Sequence, residues 1–555
     1  MIPCVIAFAA LSGPLPKLGV VVAAALVATA LLAGAKRVRA GAMLGALGLA
    51  PVLLLADIWH SPQLRTVHRH PLLGLIAAVV ALAVVAAIAV AISRRPVLLA
   101  PLAVLAVPFR VPIEAGGTTS NLLVPLYVVV AAGTLAFILP ALREEEAPAA
   151  PPPRPSRRRD LSGAARGRER GGARAGEHDT ATHRDRDGAV GARRSRVVPW
   201  IERLLALYVV LYGLQSVYSP DFEKALQQMV FFYVPFALMF CLLRSVDWTP
   251  QLLRRCMELV VVLAVIFAVV GFAEYATKTI ILNPRLVVAN DLHTYFTVNS
   301  VFFDPDIFGR FLALVMILLA AVLLYNRRPR EQLSATLVLA ILWAGLLLTL
   351  SRSSLAALLV GLATLAALRW RVTRAVVTAV AVVVIGAIAI AVSPNTFGLN
   401  QGLNGASSGR AGLVSGGLDM FRARPLWGYG SGAFVTEYRK RHPRSSQTLA
   451  ASHTIAITIA AEQGLIGEIA YIALVLVALV VLVRRAREDP SRAAIAAAFL
   501  ALVFHTLLYA DFLEDPVTWM LLGIGAALAA ARRAPAQRPG TRVPSRAGMA
   551  SATTA

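Results

Sequence analysis

The chain is predicted to be all-α: a polytopic transmembrane helical bundle of about 12–15 spans, with one large external loop that contains an amphipathic helix. Three observations predict this. Hydrophobic residues make up 58% of the 555 residues and charged residues only 15%, with a mean hydropathy of +0.69. The apolar residues come in runs of roughly 20, the length that crosses a hydrocarbon core. Basic residues stand at the ends of these runs and do not interrupt them.

The runs of spanning or near-spanning length are 18–34, 41–56, 72–93, 120–141, 199–216, 226–243, 256–273, 306–325, 332–350, 353–368, 374–392, 454–483, 492–509 and 516–531. A shorter run at 96–108 is a candidate further span. Their basic punctuation is Lys36-Arg37-Val38-Arg39, Arg94-Arg95, Arg327-Arg328-Pro329-Arg330, Arg369 to Arg374, Arg484-Arg485-Ala486-Arg487 and Arg532-Arg533. Short basic loops stay cytoplasmic, so these mark the inner side. The alternation that follows puts Ser351-Arg352, the loop 393–452 and Asp511-Phe512-Leu513-Glu514-Asp515 outside. Topology thus accounts for the net charge of +24 (54 basic minus 30 acidic residues), which argues against nucleic acid as a partner.

Cys4, Cys241 and Cys256 show no framework spacing and no CxxC, so neither a disulfide scaffold nor a zinc site is expected. The amino terminus is apolar but has no charged n-region or clear cleavage site, and is read as a retained membrane segment. Four parts follow in order. Residues 1–142 are amino-terminal transmembrane helices rich in Ala, Val and Leu. Residues 143–198, rich in Pro, Gly, Ala and mixed charge, form a basic cytoplasmic linker expected to be disordered. His178 and His183 within it are read as part of that solvated segment in preference to metal ligands, since no Cys accompanies them. Residues 199–531 hold every external polar residue of interest and are expected to be the working unit. Residues 532–555 form a disordered cytoplasmic tail.

The chemistry is concentrated at one membrane face, where ionisable groups are functional candidates because lipid penalises them. Within the loop 393–452, Val414, Leu418 and Phe421 make an amphipathic stripe that starts at Arg410 and is ended by Pro425. Arg410 lies near the amino end of that helix, where free backbone N–H groups favour anions and a guanidinium matches phosphate oxygens. A plain surface arginine is the alternative. The loop is basic, with Arg410, Arg422, Arg424, Arg439, Lys440, Arg441 and Arg444 against Asp419 and Glu437. Gly428, Gly430 and Gly432 allow tight turns and close backbone approach, but form no dinucleotide fingerprint, since no strand precedes them.

Arg352, in Leu350-Ser351-Arg352-Ser353-Ser354, falls between two spans on the same side, as an anion ligand or a snorkelling arginine. Arg310 lies about one turn into its helix, where it is able to pair with Asp306, four residues earlier. His453, at a helix start, fits either a local hydrogen bond or a general base. Glu462 is nine residues further on, half a turn out of phase, so it makes no dyad with His453. It is expected to pair with an external arginine or to support packing.

With these residues assembled, the chain resembles the O-antigen ligase / O-antigen polymerase family of bacterial polytopic membrane glycan transferases. The resemblance covers roughly residues 199–531. It rests on Leu350-Ser351-Arg352-Ser353-Ser354, on Phe303-Asp304-Pro305-Asp306-Ile307-Phe308-Gly309, and on Arg410 followed by Pro425-Leu426-Trp427-Gly428-Tyr429-Gly430. His453 with Glu462-Gln463-Gly464-Leu465-Ile466-Gly467 completes it. The resemblance implies transfer of a glycan from an undecaprenyl-pyrophosphate carrier to a hydroxyl of a glycan, lipid or protein acceptor. The reaction would take place on the external face of a bacterial plasma (inner) membrane, in cell-envelope or exopolysaccharide synthesis, with no metal and no cofactor. By the same implication His453 activates the acceptor, and Arg352 and Arg410 hold the pyrophosphate; Arg310, Glu462, Gly428 and Gly430 complete the expected substrate-binding set. Thr454 stands where the family commonly has Asn, and the linker departs from the compact family pattern. A structural component of an envelope assembly, which needs no arginine–histidine set, is one other reading, and a transporter or flippase of lipid-linked sugars is the second. The transporter calls for midplane charges and repeated halves, and no internal repeat is visible.

Overall fold

The computed structural model describes residues 13–58, 69–115, 118–143, 198–281, 296–370, 410–443, 452–509 and 511–531, with isolated positions between them. The expected span 374–392, the tail 532–555, His178 and His183 lie outside the described residues. So do residues 1–12, most of the linker 143–198, and the ends of the loop 393–452.

The architecture is the predicted helical bundle. Eleven helices among the described residues are long and apolar enough to cross a membrane, and the chain is a multi-pass membrane protein. In order they begin with α1 (Pro14–Leu32), α2 (Lys36–Ile58) and α3 (Pro71–Arg94). The short α4 (Leu99–Ala106) follows, at eight residues too short to cross, so the run at 96–108 adds no span. An antiparallel ribbon, β1 (Val111–Ala115) with β2 (Thr118–Leu122), pairs Val111 with Leu122 and leads into α5 (Val124–Arg143). Next come α6 (Val198–Ser216) and α7 (Phe222–Gln228), then a π turn over Met229–Tyr233, α8 (Val234–Ser245) and α9 (Pro250–Thr277).

The remaining helices are α10 (Pro305–Tyr325), α11 (Pro329–Leu348), α12 (Arg352–Arg369), the loop helices α13 (Arg410–Ala423) and α14 (Phe434–Arg441), then α15 (Ile455–Val483), α16 (Pro490–Leu508) and α17 (Pro516–Ala530). Several starts are written in the sequence as Asp-Pro, with proline pre-set for the first turn and the aspartate oxygen accepting an otherwise orphaned amide. Asp304 caps α10 through Asp306 N (2.7 Å), Asp489 caps α16 through Ser491 N (2.9 Å), and Asp515 caps α17 through Val517 N (2.9 Å).

One apolar core runs from Val20 to Ala526, so the amino-terminal helices are not packed apart from the rest. Small residues let the backbones close up, as in lipid-embedded helix packing. A Cβ on Gly213 of α6 would stand 2.6 Å from Ala24 Cβ of α1, and one on Gly361 of α12 would stand 2.2 Å from Ile317 Cδ1 of α10. At one end of the bundle Arg369 donates to Leu324 O (3.3 Å) and Arg487 to Ala367 O (3.4 Å), gathering the basic punctuation of α10, α12, α15 and α16. The starts of α10, α12, α15 and α17 lie at the opposite end.

Candidate active site

The polar end of the bundle is built from helix termini. Asp306, in the first turn of α10, accepts hydrogen bonds on Oδ1 from Ser351 Oγ and from Ser353 Oγ (3.0 Å), and so fixes the start of α12. Its Oδ2 lies 3.6 Å from Arg410 Nη2, while Arg410 Nη1 donates to Leu508 O at 3.1 Å. Arg410, first residue of α13, therefore ties the loop to α10 and α16. Asp304 Oδ2 accepts from the Tyr509 hydroxyl at 3.1 Å. The Tyr509 ring lies 6.0 Å from the His453 ring, edge on, and 5.8 Å from that of His505.

Arg310 does not pair with Asp306 as its spacing suggested. It turns the other way and forms a buried ion pair with Asp515, Nη2 to Oδ2 at 2.8 Å, with both side chains under 5% exposed. The reason is local: Asp306 is already held by the serines and Arg410, whereas Asp515 is brought under the α10 start by the short α17. Arg310 Nη1 remains buried with no hydrogen-bond partner among the described residues. Arg352 is exposed at the first position of α12, and no side chain among the described residues pairs with it.

His453 has left-handed backbone geometry (φ 59°), as do Leu350 (φ 52°) just before Ser351 and Asp511 (φ 79°) in the turn before α17. Non-glycine residues held there store strain, and such positions gather at functional sites. Burial, then the positive charge of Arg410, pushes the His453 pKa below its ordinary 6.5, partly offset by the carboxylates of Asp306 and Asp511. The imidazole is therefore neutral at neutral pH, the form able to accept a proton. Burial and the neighbouring Asp306 carboxylate raise the Asp304 carboxyl to about 6.

The loop after α13 is docked onto a broken helix. Gly464 interrupts α15 with φ 66° and ψ −164°, where the sequence suggested one unbroken span. The groups freed by the break are satisfied by the glycine-rich loop in both directions. Tyr429 N donates to Ala461 O (3.1 Å) and Gly430 N to Glu462 O (2.8 Å), while Leu465 N donates to Pro425 O (2.7 Å). Gly428 (φ 65°) and Gly430 (φ 101°) are needed here: a Cβ on Gly428 would lie 2.3 Å from Glu462 O, and one on Gly430 2.6 Å from Ser219 Cα.

Glu462 supports this packing and pairs with no arginine among the described residues. Its buried carboxylate accepts Gly432 N (2.9 Å) and Phe434 N (3.0 Å). Helix α13 forms as expected, but its buried stripe is Leu413, Gly416, Gly417 and Met420, with Val414, Leu418 and Phe421 on its flank. The two glycines decide this, because they admit Tyr438, Phe434 and Ile457 to within contact.

The structure thus brings Arg310, Arg410 and His453 to one mouth, with Arg352 beside the serines that hold Asp306, and places Glu462, Gly428 and Gly430 in the adjoining loop dock. Sequence reasoning missed His505, whose Nε2 lies 3.3 Å from both Ser353 Oγ and Ser354 Oγ. The only signal was a histidine in the apolar run 492–509. Asp515 was seen as external but not as the partner of Arg310.

Fold and site together define a multi-pass membrane protein with an arginine–carboxylate–histidine cluster at one mouth of its bundle. Residues 335–472, about a quarter of the chain, match the family model Wzy_C, described as O-antigen ligase. The match supports a membrane enzyme of the glycan ligase or polymerase type. The matched segment contains Arg352, Arg410, His453, Glu462, Gly428 and Gly430, while Arg310, Asp306 and Asp515 lie outside it. None of the curated proteins compared matches the chain.

Proposed function

We propose that the protein transfers a glycan from an undecaprenyl-pyrophosphate carrier to an acceptor hydroxyl at the external face of a bacterial plasma membrane, with residues 199–531 as the working unit. Arg352 and Arg410 hold the pyrophosphate, and Arg310 stands behind them. The neutral His453 imidazole takes the proton of the acceptor hydroxyl as its oxygen attacks the anomeric carbon. The bond from that carbon to the carrier's phosphate oxygen breaks, its electron pair leaves on the undecaprenyl pyrophosphate, and the guanidiniums stabilise the departing charge. In this reading they take the part of a metal, and no cofactor is used. The observation that carries the reading is Arg410 held against Asp306 at the mouth where His453 packs on Tyr509, beside an exposed Arg352.

The test is reconstitution in vesicles with a labelled undecaprenyl-pyrophosphate-linked glycan and an acceptor saccharide. Formation of a glycosidic bond with release of undecaprenyl pyrophosphate is expected. Movement of the glycan across the bilayer still attached to its carrier, with no new bond, would support transport instead.

A further inference from the structure

One carboxylate bears on both arginines proposed to hold the pyrophosphate: it faces Arg410 directly and holds the serines that flank Arg352. Asp306 Oδ1 accepts the hydroxyls of Ser351 and Ser353, the residues on either side of Arg352 in the chain. Ser354 Oγ adds a hydrogen bond to the Asp306 carbonyl at 3.2 Å, and Ser351 Oγ also caps α12 through Ser354 N at 3.2 Å. The point from which Arg352 projects is therefore tied to α10 through a single residue. Oδ2 of the same carboxylate faces Arg410 Nη2 at 3.6 Å, longer than a tight charge-assisted hydrogen bond. Arg310, the cation four residues on, is committed to Asp515 and does not compete with Arg410 for Asp306.

We propose that Asp306 is the positioning residue of the site: it sets the spacing of Arg352 and Arg410, and it occupies Arg410 until a diphosphate displaces it. This rests on the pyrophosphate role given above to the arginines. The two halves of the carboxylate do different work. Oδ1 is structural and needs only an acceptor. Oδ2 is a counter-charge that competes with the incoming anion, as a loosely held, partly exposed ion pair is able to do.

An asparagine at this position keeps an acceptor for the serines and removes the competing charge. Asp306→Asn in the full chain is therefore expected to bind inorganic pyrophosphate about three- to fivefold more tightly in calorimetry, and to turn over more slowly because the carrier pyrophosphate is released late. Adding Arg410→Ala should abolish the gain. Ser353→Ala, which removes one hydroxyl from Asp306 without touching either arginine, is expected to raise the donor KM several-fold with little change in kcat.

Unchanged or weaker pyrophosphate binding by Asp306→Asn, in a protein that unfolds at the wild-type temperature, overturns the proposal. If that variant unfolds early, an unaltered donor KM in Ser353→Ala overturns it instead. The underlying reading fails separately: wild type would then bind no pyrophosphate, and Arg352→Ala and Arg410→Ala would retain transfer.

Discussion

Arg310 and Asp515 form a buried ion pair at 2.8 Å that joins the first turns of α10 and the cap of α17. Removing one member of such a pair strands the other charge in an apolar setting. Arg310→Ala is expected to destabilise the protein by about 3–5 kcal/mol, and Asp515→Ala by a similar amount with the lost cap added. The double variant Arg310→Met with Asp515→Asn should be far less damaged than the sum of the single losses. Thermal unfolding in detergent, run as a double-mutant cycle, measures this.

The glycine dock makes a second prediction. Gly464→Ala introduces a Cβ 2.4 Å from Leu426 O at a backbone angle that L side chains rarely adopt. A loss of about 1–3 kcal/mol is expected. It should be accompanied by faster proteolysis within 410–443, because the loop and the broken helix satisfy each other's backbone. Ala substitution at Gly428, whose Cβ would strike Glu462 O, should have the same signature.

The pH dependence of transfer follows from His453. A base must be neutral, so activity falls as pH drops through its folded pKa, which burial and Arg410 hold below 6.5. Arg410→Gln removes the positive neighbour but not the burial. Its residual activity should therefore show an acid limb moved to higher pH. Asp306→Asn removes a carboxylate that favours the charged imidazole and should move the limb the opposite way. Initial rates across pH 4–8 at saturating donor decide the sign.

Asp304 offers a check on stability. Its carboxyl is raised to about 6 from the ordinary 3.8, by burial and then by Asp306. A raised acid stabilises the fold below the unfolded value and loses that contribution as pH climbs from about 4 to 6. Asn is also a good cap, so Asp304→Asn is expected to be more stable than wild type at pH 7, by on the order of 1 kcal/mol, with the difference gone at pH 4. Unfolding temperatures at the two pH values test it.

Much of this was legible in the sequence, for identifiable reasons. Run length gave the spans because a membrane fixes helix length, and Asp-Pro pairs marked the starts of α10, α16 and α17. Arg352, Arg410 and His453 stood out as polar residues at apolar boundaries. What escaped were choices made in three dimensions. Asp306 and Arg310 have the spacing of a helical pair, yet each finds a partner on another element. The break at Gly464 is invisible in an apolar run, because it depends on Pro425 to Gly430 arriving from a distant loop. His505 was hidden by its apolar neighbours, since only the fold brings Ser353 and Ser354 to it.

The central claim is that His453 is the proton acceptor for the attacking hydroxyl. The most direct measurement is transfer by His453→Ala, reconstituted with the lipid-linked donor and acceptor, alongside its unfolding temperature and its affinity for inorganic pyrophosphate. The variant is expected to fold, to bind pyrophosphate like wild type and to lose transfer by at least about a hundredfold, at the low end of general-base contributions. Transfer at the wild-type rate in that variant would contradict it.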